Sequence, residues 1–213
     1  PSHHVTHSLP SPSPSEMVGK LIVIEGLDRC GKTTQISKLI QHLTHQQISS
    51  IQFKFPDRST PIGKLINEYL SNPKCTLEDH VIHLLFSANR WELSQQIQDS
   101  LQKYQVVLLD RYWYSGVAYS TAKGLDLEWC KWADKGLPQP DLVLFFDLDP
   151  TLSQHRPEFG EERYERTEFQ QAVRNAFVQL YDHSTWKTVD ASQSVDQVSK
   201  SINDTLAKFL SIQ

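Results

Sequence analysis

Three features of the chain predict an α/β fold, a doubly wound, mainly parallel sheet flanked by helices. Short apolar runs, LIVIE at 21–25, VVLLD at 106–110 and LVLFFDL at 142–148, are as continuous as strands buried on both faces require. Strand runs alternate with stretches of helical spacing, the signature of βα units. A glycine-rich loop joins the first run to the first helix, where sheets of this class open to ligands.

In chain order, the first strand is Leu21–Glu25, followed by the glycine loop and a helix over Thr33–His45. Ile51–Phe55 is a second strand, stopped by Pro56. Residues 61–71 form a helix with proline in its first turn. Residues 77–103 form a long helix, with Val81, Leu84, Leu85, Leu93 and Ile97 at helical spacing. Val106–Asp110 is the third strand, and residues 113–133 are two short helices parted by Gly124. A fourth strand spans Leu142–Leu148 and is followed by a helix. The chain closes with a helix over 168–182, a short strand at Lys187–Asp190 and a helix over 194–211. No internal repeat is visible.

Length and composition fit one domain, expected over residues 17–213 of the 213. Hydrophobic residues make up 38%, enough for a sizeable core. A net charge of -4 argues against a general nucleic-acid binder. No apolar run reaches the roughly 18 residues of a membrane span, so no membrane partner is expected. Three cysteines in no metal-binding spacing suit a cytoplasmic protein; without a basic run, the nucleus stays an alternative. Residues 1–16, rich in Ser, Pro and His, read as a disordered leader, native or added for expression, with Met17 as the expected start. Its His3, His4 and His7 read as a solvated tail rather than a metal site.

The most specific motif is Gly26-Leu-Asp-Arg-Cys-Gly31-Lys32-Thr33, a match to G-x-x-x-x-G-K-[ST] between a strand and a helix. Its glycines let backbone amides turn toward phosphate oxygens, and the helix adds its positive end. Lys32 is expected on the β- and γ-phosphates of ATP, and Thr33 on Mg²⁺. Leu27, Asp28, Cys30 and Thr34 complete the donor site. Arg29, inside the loop, suits an arginine finger in cis rather than a surface ion pair. Asp110 at a strand end is a second candidate for Mg²⁺, with helix capping as its alternative.

A phosphate loop alone says only nucleotide. Arg58 follows the second strand and Arg111 the third, and guanidinium forks at neighbouring strand ends suit a second phosphate. Phe86 and Arg90 lie four apart on the long helix and share a face, a stacking ring beside a hydrogen-bond donor. Spacing alone favours the plainer reading, a core phenylalanine beside a surface arginine. Residues 156–164, RPEFGEERY, carry five charged side chains and read as a mobile lid over the site or an ordinary surface loop.

GLDRCGKTTQ, FPDRSTPIGK, LLFSANRWE, DRYWYSGVAYSTAKG, GLPQPDLVLFFDLDP and ERYE…FQ, in this order, resemble thymidylate kinases over nearly all of residues 18–190. The resemblance implies a five-stranded parallel sheet, a homodimer, a Mg²⁺ requirement and transfer from ATP to dTMP. It implies that Phe86 stacks on thymine, Arg90 bonds its carbonyl edge, and Arg58 and Arg111 hold the dTMP phosphate. Asp28 would meet the sugar 3′-OH, and Tyr119 would crowd the 2′ carbon. Glu162 and Gln170 would lie near sugar and base, with Phe55, Ser115, Gly116 and Tyr164 completing the acceptor site. Arg156 would lie near the ATP adenine. The arginine in the phosphate loop resembles the eukaryotic-type subgroup, although this lid keeps Arg156 and Arg163.

Lys32, Arg29, Asp28 and Arg111 are the expected catalytic set. Two other functions fit the phosphate loop. A deoxynucleoside kinase would need a carboxylate base by the 5′-OH, and the second strand offers only Asp57. A catalytically silent nucleotide-binding regulator would have lost Lys32, Thr33 or Asp110, and all three are present.

Overall fold

The structure, a computed structural model, describes residues 19–153 and 159–211. The expectations for residues 1–16, for Met17 and for Arg156 fall outside the described residues.

A five-stranded, fully parallel sheet forms the centre, in the order β2-β3-β1-β4-β5. Its strands are β1 (Lys20–Gly26), β2 (Ser50–Lys54), β3 (Val106–Asp110), β4 (Leu142–Asp147) and β5 (Trp186–Asp190). The helices are α1 (Lys32–His45), α2 (Pro61–Ser71), α3 (Asp79–Leu101), α4 (Trp113–Ala122), α5 (Leu127–Trp132), α6 (Pro150–Ser153), α7 (Thr167–Leu180) and α8 (Val195–Phe209). Element order follows the sequence expectation, with ends moved by no more than two residues.

Side chains alternate across the strands and so divide the core in two. Leu21, Val23, Val107, Leu109 and Phe145 pack against Ile97 of α3, Val117 of α4 and Phe177 of α7. On the opposite face Ile22, Ile24, Leu108, Leu144 and Phe146 meet Ile36 and Leu39 of α1 and Ile202 of α8. A smaller cluster joins Ile66 and Tyr69 of α2, Ile82 of α3 and Tyr164. Along α3, Ile82 and Ile97 are buried, whereas Val81 and Leu84 are 45% and 48% exposed.

Local sequence explains most helix starts. Thr60 Oγ1 accepts the Gly63 amide at 2.9 Å, with Pro61 opening α2. Glu78 caps α3, Asp126 caps α5, and Ser194 with Gln197 forms a capping box on α8. By contrast, α1 starts at Gly31 with no side-chain cap, so its first amides are left for another partner.

His83 ties α3 to α4 and α5. Its Nδ1 lies 2.8 Å from Ser120 Oγ and its Nε2 3.0 Å from the Cys130 carbonyl. A carbonyl can only accept, so the proton sits on Nε2 and the neutral ring fits. Burial, with Arg90 nearby, holds its pKa below the ordinary 6.5. The unfolded chain therefore takes up a proton that the folded chain resists. Stability should fall as pH drops from about 6.5 toward the depressed value, at up to ~1.4 kcal/mol per pH unit. Denaturation of His83→Gln across this window should show a flatter profile than the parent.

Candidate active site

A cleft of about 1010 Å³ opens beyond the carboxyl ends of β1, β2 and β3. The loops leaving β1 and β3 diverge there across the sheet, the place such folds use for ligands. The β1 loop turns sharply at Gly26, φ 146°, where a Cβ would fall 2.6 Å from the Phe146 carbonyl oxygen. Arg29 and Gly31 have φ of 57° and 93°, a left-handed backbone that is costly for the arginine. The uncapped amides of α1 follow. Lys32 is buried, and its Nζ donates to the carbonyls of Leu27 at 2.6 Å and Gly26 at 3.2 Å. Asp28, Arg29, Cys30, Gly31, Lys32, Thr33 and Thr34 line the cleft. Leu27 does not; its side chain belongs to the core.

Arg111, φ 66°, is the hub of the opposite wall. Its Nη1 donates to the Gly26 carbonyl at 2.8 Å and Ser115 Oγ at 3.0 Å, and its Nη2 to Asp28 Oδ1 at 2.6 Å. Its guanidinium lies 5.6 Å from the Tyr119 ring. Gln170, predicted beside the ligand, is buried behind Asp28. It accepts the Asp28 amide at 3.0 Å and donates to Asp28 Oδ2 at 2.8 Å, so it reaches the cleft through that residue.

Behind this wall is Glu25, which takes no part in the predicted set and is fully buried. It accepts the amides of Tyr112 and Ser115 and the Ser115 hydroxyl. Burial pushes its carboxyl above the usual range, opposed by Arg111 and these bonds. Glu25 thus serves the first turn of α4 from a neighbouring strand. The capping alternative for Asp110 falls away, because α4 starts at Tyr112 without a side-chain cap. Asp110 is buried, lines the cleft with Thr33, and has Lys54 Nζ at 3.9 Å. Among the described residues, no group of three His, Cys, Asp or Glu side chains could hold a metal alone. A hydroxyl and one carboxylate suit a hard cation that brings phosphate and water as its other ligands.

The plainer reading of Phe86 and Arg90 is reversed. Arg90 is the buried member, its Nε and Nη2 donating to Asp134 Oδ1 and Oδ2 at 2.8 and 2.7 Å. Ser87 also donates to Asp134, at 2.9 Å. The guanidinium lies flat on α4 at Gly116, where a Cβ would fall 2.7 Å from Nη2. Phe86, half-buried one turn earlier, lines the cleft with Arg90, Phe55, Tyr119 and Tyr164.

Arg58 reaches over the cleft, with Nη1 to Asn67 at 2.9 Å and Nη2 to Glu162 at 2.7 Å. Asn89 fastens its loop by accepting the Asp57 amide and donating to the Asp57 carbonyl. The Asp57 carboxylate is engaged in a local turn with Ser59, which leaves it poorly suited as a base. Arg163 faces away from the cleft. It donates to the Tyr69, Asn72 and Cys75 carbonyls at the end of α2, with its guanidinium 4.2 Å above the Tyr69 ring.

Sequence reasoning missed Glu25, Asp134 and Glu165. A charged residue ending an apolar strand could have drawn attention to Glu25. Nothing distinguishes the other two from solvent-facing carboxylates before their partners are known.

The family model described as thymidylate kinase matches residues 24–202. The chain is 50% identical over 191 residues to the thymidylate kinase of Schizosaccharomyces pombe, covering 87% of this chain and 90% of that one. It is 47% identical over 187 residues to that of Homo sapiens, covering 86% and 88%. A solved thymidylate kinase from Candida albicans superposes with a TM-score of 0.81 at 46% identity, covering 89% of this chain and 92% of that one.

Removing Asp134 would strand the Arg90 guanidinium in the interior. Asp134→Ala should cost about 3–5 kcal/mol in chemical denaturation. A loss typical of surface ion pairs, under about 1 kcal/mol, would contradict the burial assigned to this pair.

Proposed function

The chain belongs to the thymidylate kinase family and phosphorylates dTMP, and from that premise we propose that it does so by direct in-line transfer from ATP, with no covalent intermediate. The observation that carries this reading is the pair of arginines, Arg58 and Arg111, after neighbouring strands in the cleft that holds the phosphate loop.

A monophosphate has its second pKa near 6, so its oxygen is already ionised at neutral pH and needs no base. An oxygen of the dTMP phosphate attacks the γ-phosphorus. The bond from that phosphorus to the bridging oxygen breaks, and its electron pair leaves with ADP. The work left to the protein is positioning and charge stabilisation. Arg58 and Arg111 orient the acceptor phosphate. Lys32 and Arg29 neutralise charge spreading over the transferred group. Asp28, held by Arg111 and Gln170, is set to meet the sugar. Phe86 and Arg90 take the base, one by its face and the other by its carbonyl edge. Tyr119 stands over Arg111 where it can crowd a 2′ substituent. Thr33 and Asp110 would hold Mg²⁺, which when bound with ATP supplies charge neutralisation at the phosphates.

Leu65 of α2 and Val81 and Leu84 of α3 are large apolar side chains left exposed, which supports a homodimer that covers them. Three free cysteines support a reducing, cytoplasmic setting. No helix among the described residues is long and apolar enough to cross a membrane.

Steady-state ADP release, measured with dTMP, dUMP, AMP and thymidine as acceptors, tests the reading. Strong turnover with dTMP and little with thymidine is expected; preference for thymidine would overturn the roles of Arg58 and Arg111. Arg29→Ala should lower kcat by about 10³-fold with little change in KM for dTMP. Phe86→Ala should instead raise that KM, by about 5- to 150-fold if stacking contributes ~1–3 kcal/mol. An unchanged KM would show that the base binds elsewhere.

A further inference from the structure

The guanidinium proposed for the base edge is held from behind by a carboxylate that has no part in the transfer itself. Arg90 lines the cleft and is 2% exposed. Asp134, 3% exposed, grips it by two atoms: Oδ1 accepts Nε at 2.8 Å and Oδ2 accepts Nη2 at 2.7 Å. Ser87 Oγ also donates to Oδ1, at 2.9 Å, and so fixes the carboxylate in turn. The turn that carries Asp134 is fastened to one face of α3. The Ala133 carbonyl accepts Ser87 Oγ and Trp91 Nε1, both at 2.9 Å. Gly136, φ 106°, lies against the Trp91 ring, where a Cβ would fall 3.3 Å from the indole. From α4, Gly116 closes on the guanidinium itself, where a Cβ would fall 2.7 Å from Nη2 and 3.0 Å from Nη1. The group is thus gripped along one edge and covered on one face.

We infer that Asp134 is a positioning residue for base selection. It fixes the Arg90 guanidinium so that a donor-only edge, that of Nη1, meets the base. The site then admits a pyrimidine with a carbonyl at that position and rejects one with an amino group. The inference rests on the reading of Arg90 as the residue that takes the base. A guanidinium carries five N–H donors and no acceptor. Asp134 occupies the Nε edge, and among the described residues nothing accepts from Nη1. Thymine presents an oxygen at its C4 position, and cytosine an NH₂ group. An amino group set against a fixed N–H edge leaves donors facing each other out of water, which costs more than a lost contact. A guanidinium free to swing would turn aside and lose that discrimination. Selectivity by rejection therefore resides in the restraint as well as in the arginine. A neutral amide could not replace Asp134, because its one carbonyl oxygen serves one donor and its NH₂ faces the other.

Steady-state ADP release with dTMP and with dCMP tests this, in the parent chain, Asp134→Asn and Arg90→Lys. The readout is kcat/KM for dTMP divided by kcat/KM for dCMP. Asp134→Asn should lower this ratio by about tenfold or more, through a higher KM for dTMP, while kcat at saturating dTMP stays within about threefold. A ratio equal to the parent's would overturn the proposal, including the case where both acceptors lose equally, the mark of a carboxylate that only supports the fold. A fall in kcat with KM unchanged would also sink it, since that marks a hold on transfer rather than on the base. Arg90→Lys keeps the charge beside Asp134 and gives up the planar fork. If it leaves the ratio at the parent value, the reading of Arg90 fails first, a result distinct from the others. A ratio lowered by Arg90→Lys but not by Asp134→Asn overturns the inference alone. Should Asp134→Asn not fold, Asp134→Glu carries the same test; it keeps the charge but moves the grip by a methylene.

Discussion

The site depends on a carboxylate that never meets solvent. Glu25 is the penultimate residue of the central strand, and the parallel register sets Ile24 opposite Asp110 on β3. That register delivers the chain after β3 to Glu25, which accepts two amides and a hydroxyl from the first turn of α4. A buried carboxylate without such donors would be strongly disfavoured, so the helix can begin in one place only. From that start follow the positions of Arg111, Ser115, Gly116 and Tyr119. Arg111 then binds the Gly26 carbonyl and Asp28, which ties the acceptor wall to the phosphate loop. The two walls of the cleft are therefore fixed by one hydrogen-bond set rather than by two independent loops.

Much of this was legible in the sequence, and the reasons are physical. The three inner strands, β1, β3 and β4, were readable because they are buried on both faces and so run apolar almost without interruption. The phosphate loop was readable because its chemistry lies within eight consecutive residues. Arg90 was not. Its burial depends on Asp134, which lies after α5 in a stretch whose polarity suggests solvent. Val81 and Leu84 show a related limit: helical spacing places them on α3 but does not say whether this chain or another surface covers them. Gln170 sits 142 residues from Asp28, and no local pattern predicts that pairing.

The lid raises a related point about arginines. A transfer arginine can be supplied from the phosphate loop or from the lid. Arg163, the described lid arginine, is spent on the carbonyls at the end of α2, where a cation also meets the negative end of the helix. Its position makes it an anchor for the lid base, facing away from the cleft that Arg29 lines. Composition alone could not divide these duties, because both arginines sit in charged, glycine-containing loops.

Arg29 and Arg111 share a left-handed backbone, at φ 57° and 66°. Each costs something on the order of 1 kcal/mol relative to a residue at ease there. Glycine would relieve that cost at both positions but would also remove the guanidinium groups that hold Asp28 and Glu165. The backbone strain at 29 and 111 is therefore carried for the sake of the side chains, because no residue at ease in that conformation reaches those carboxylates.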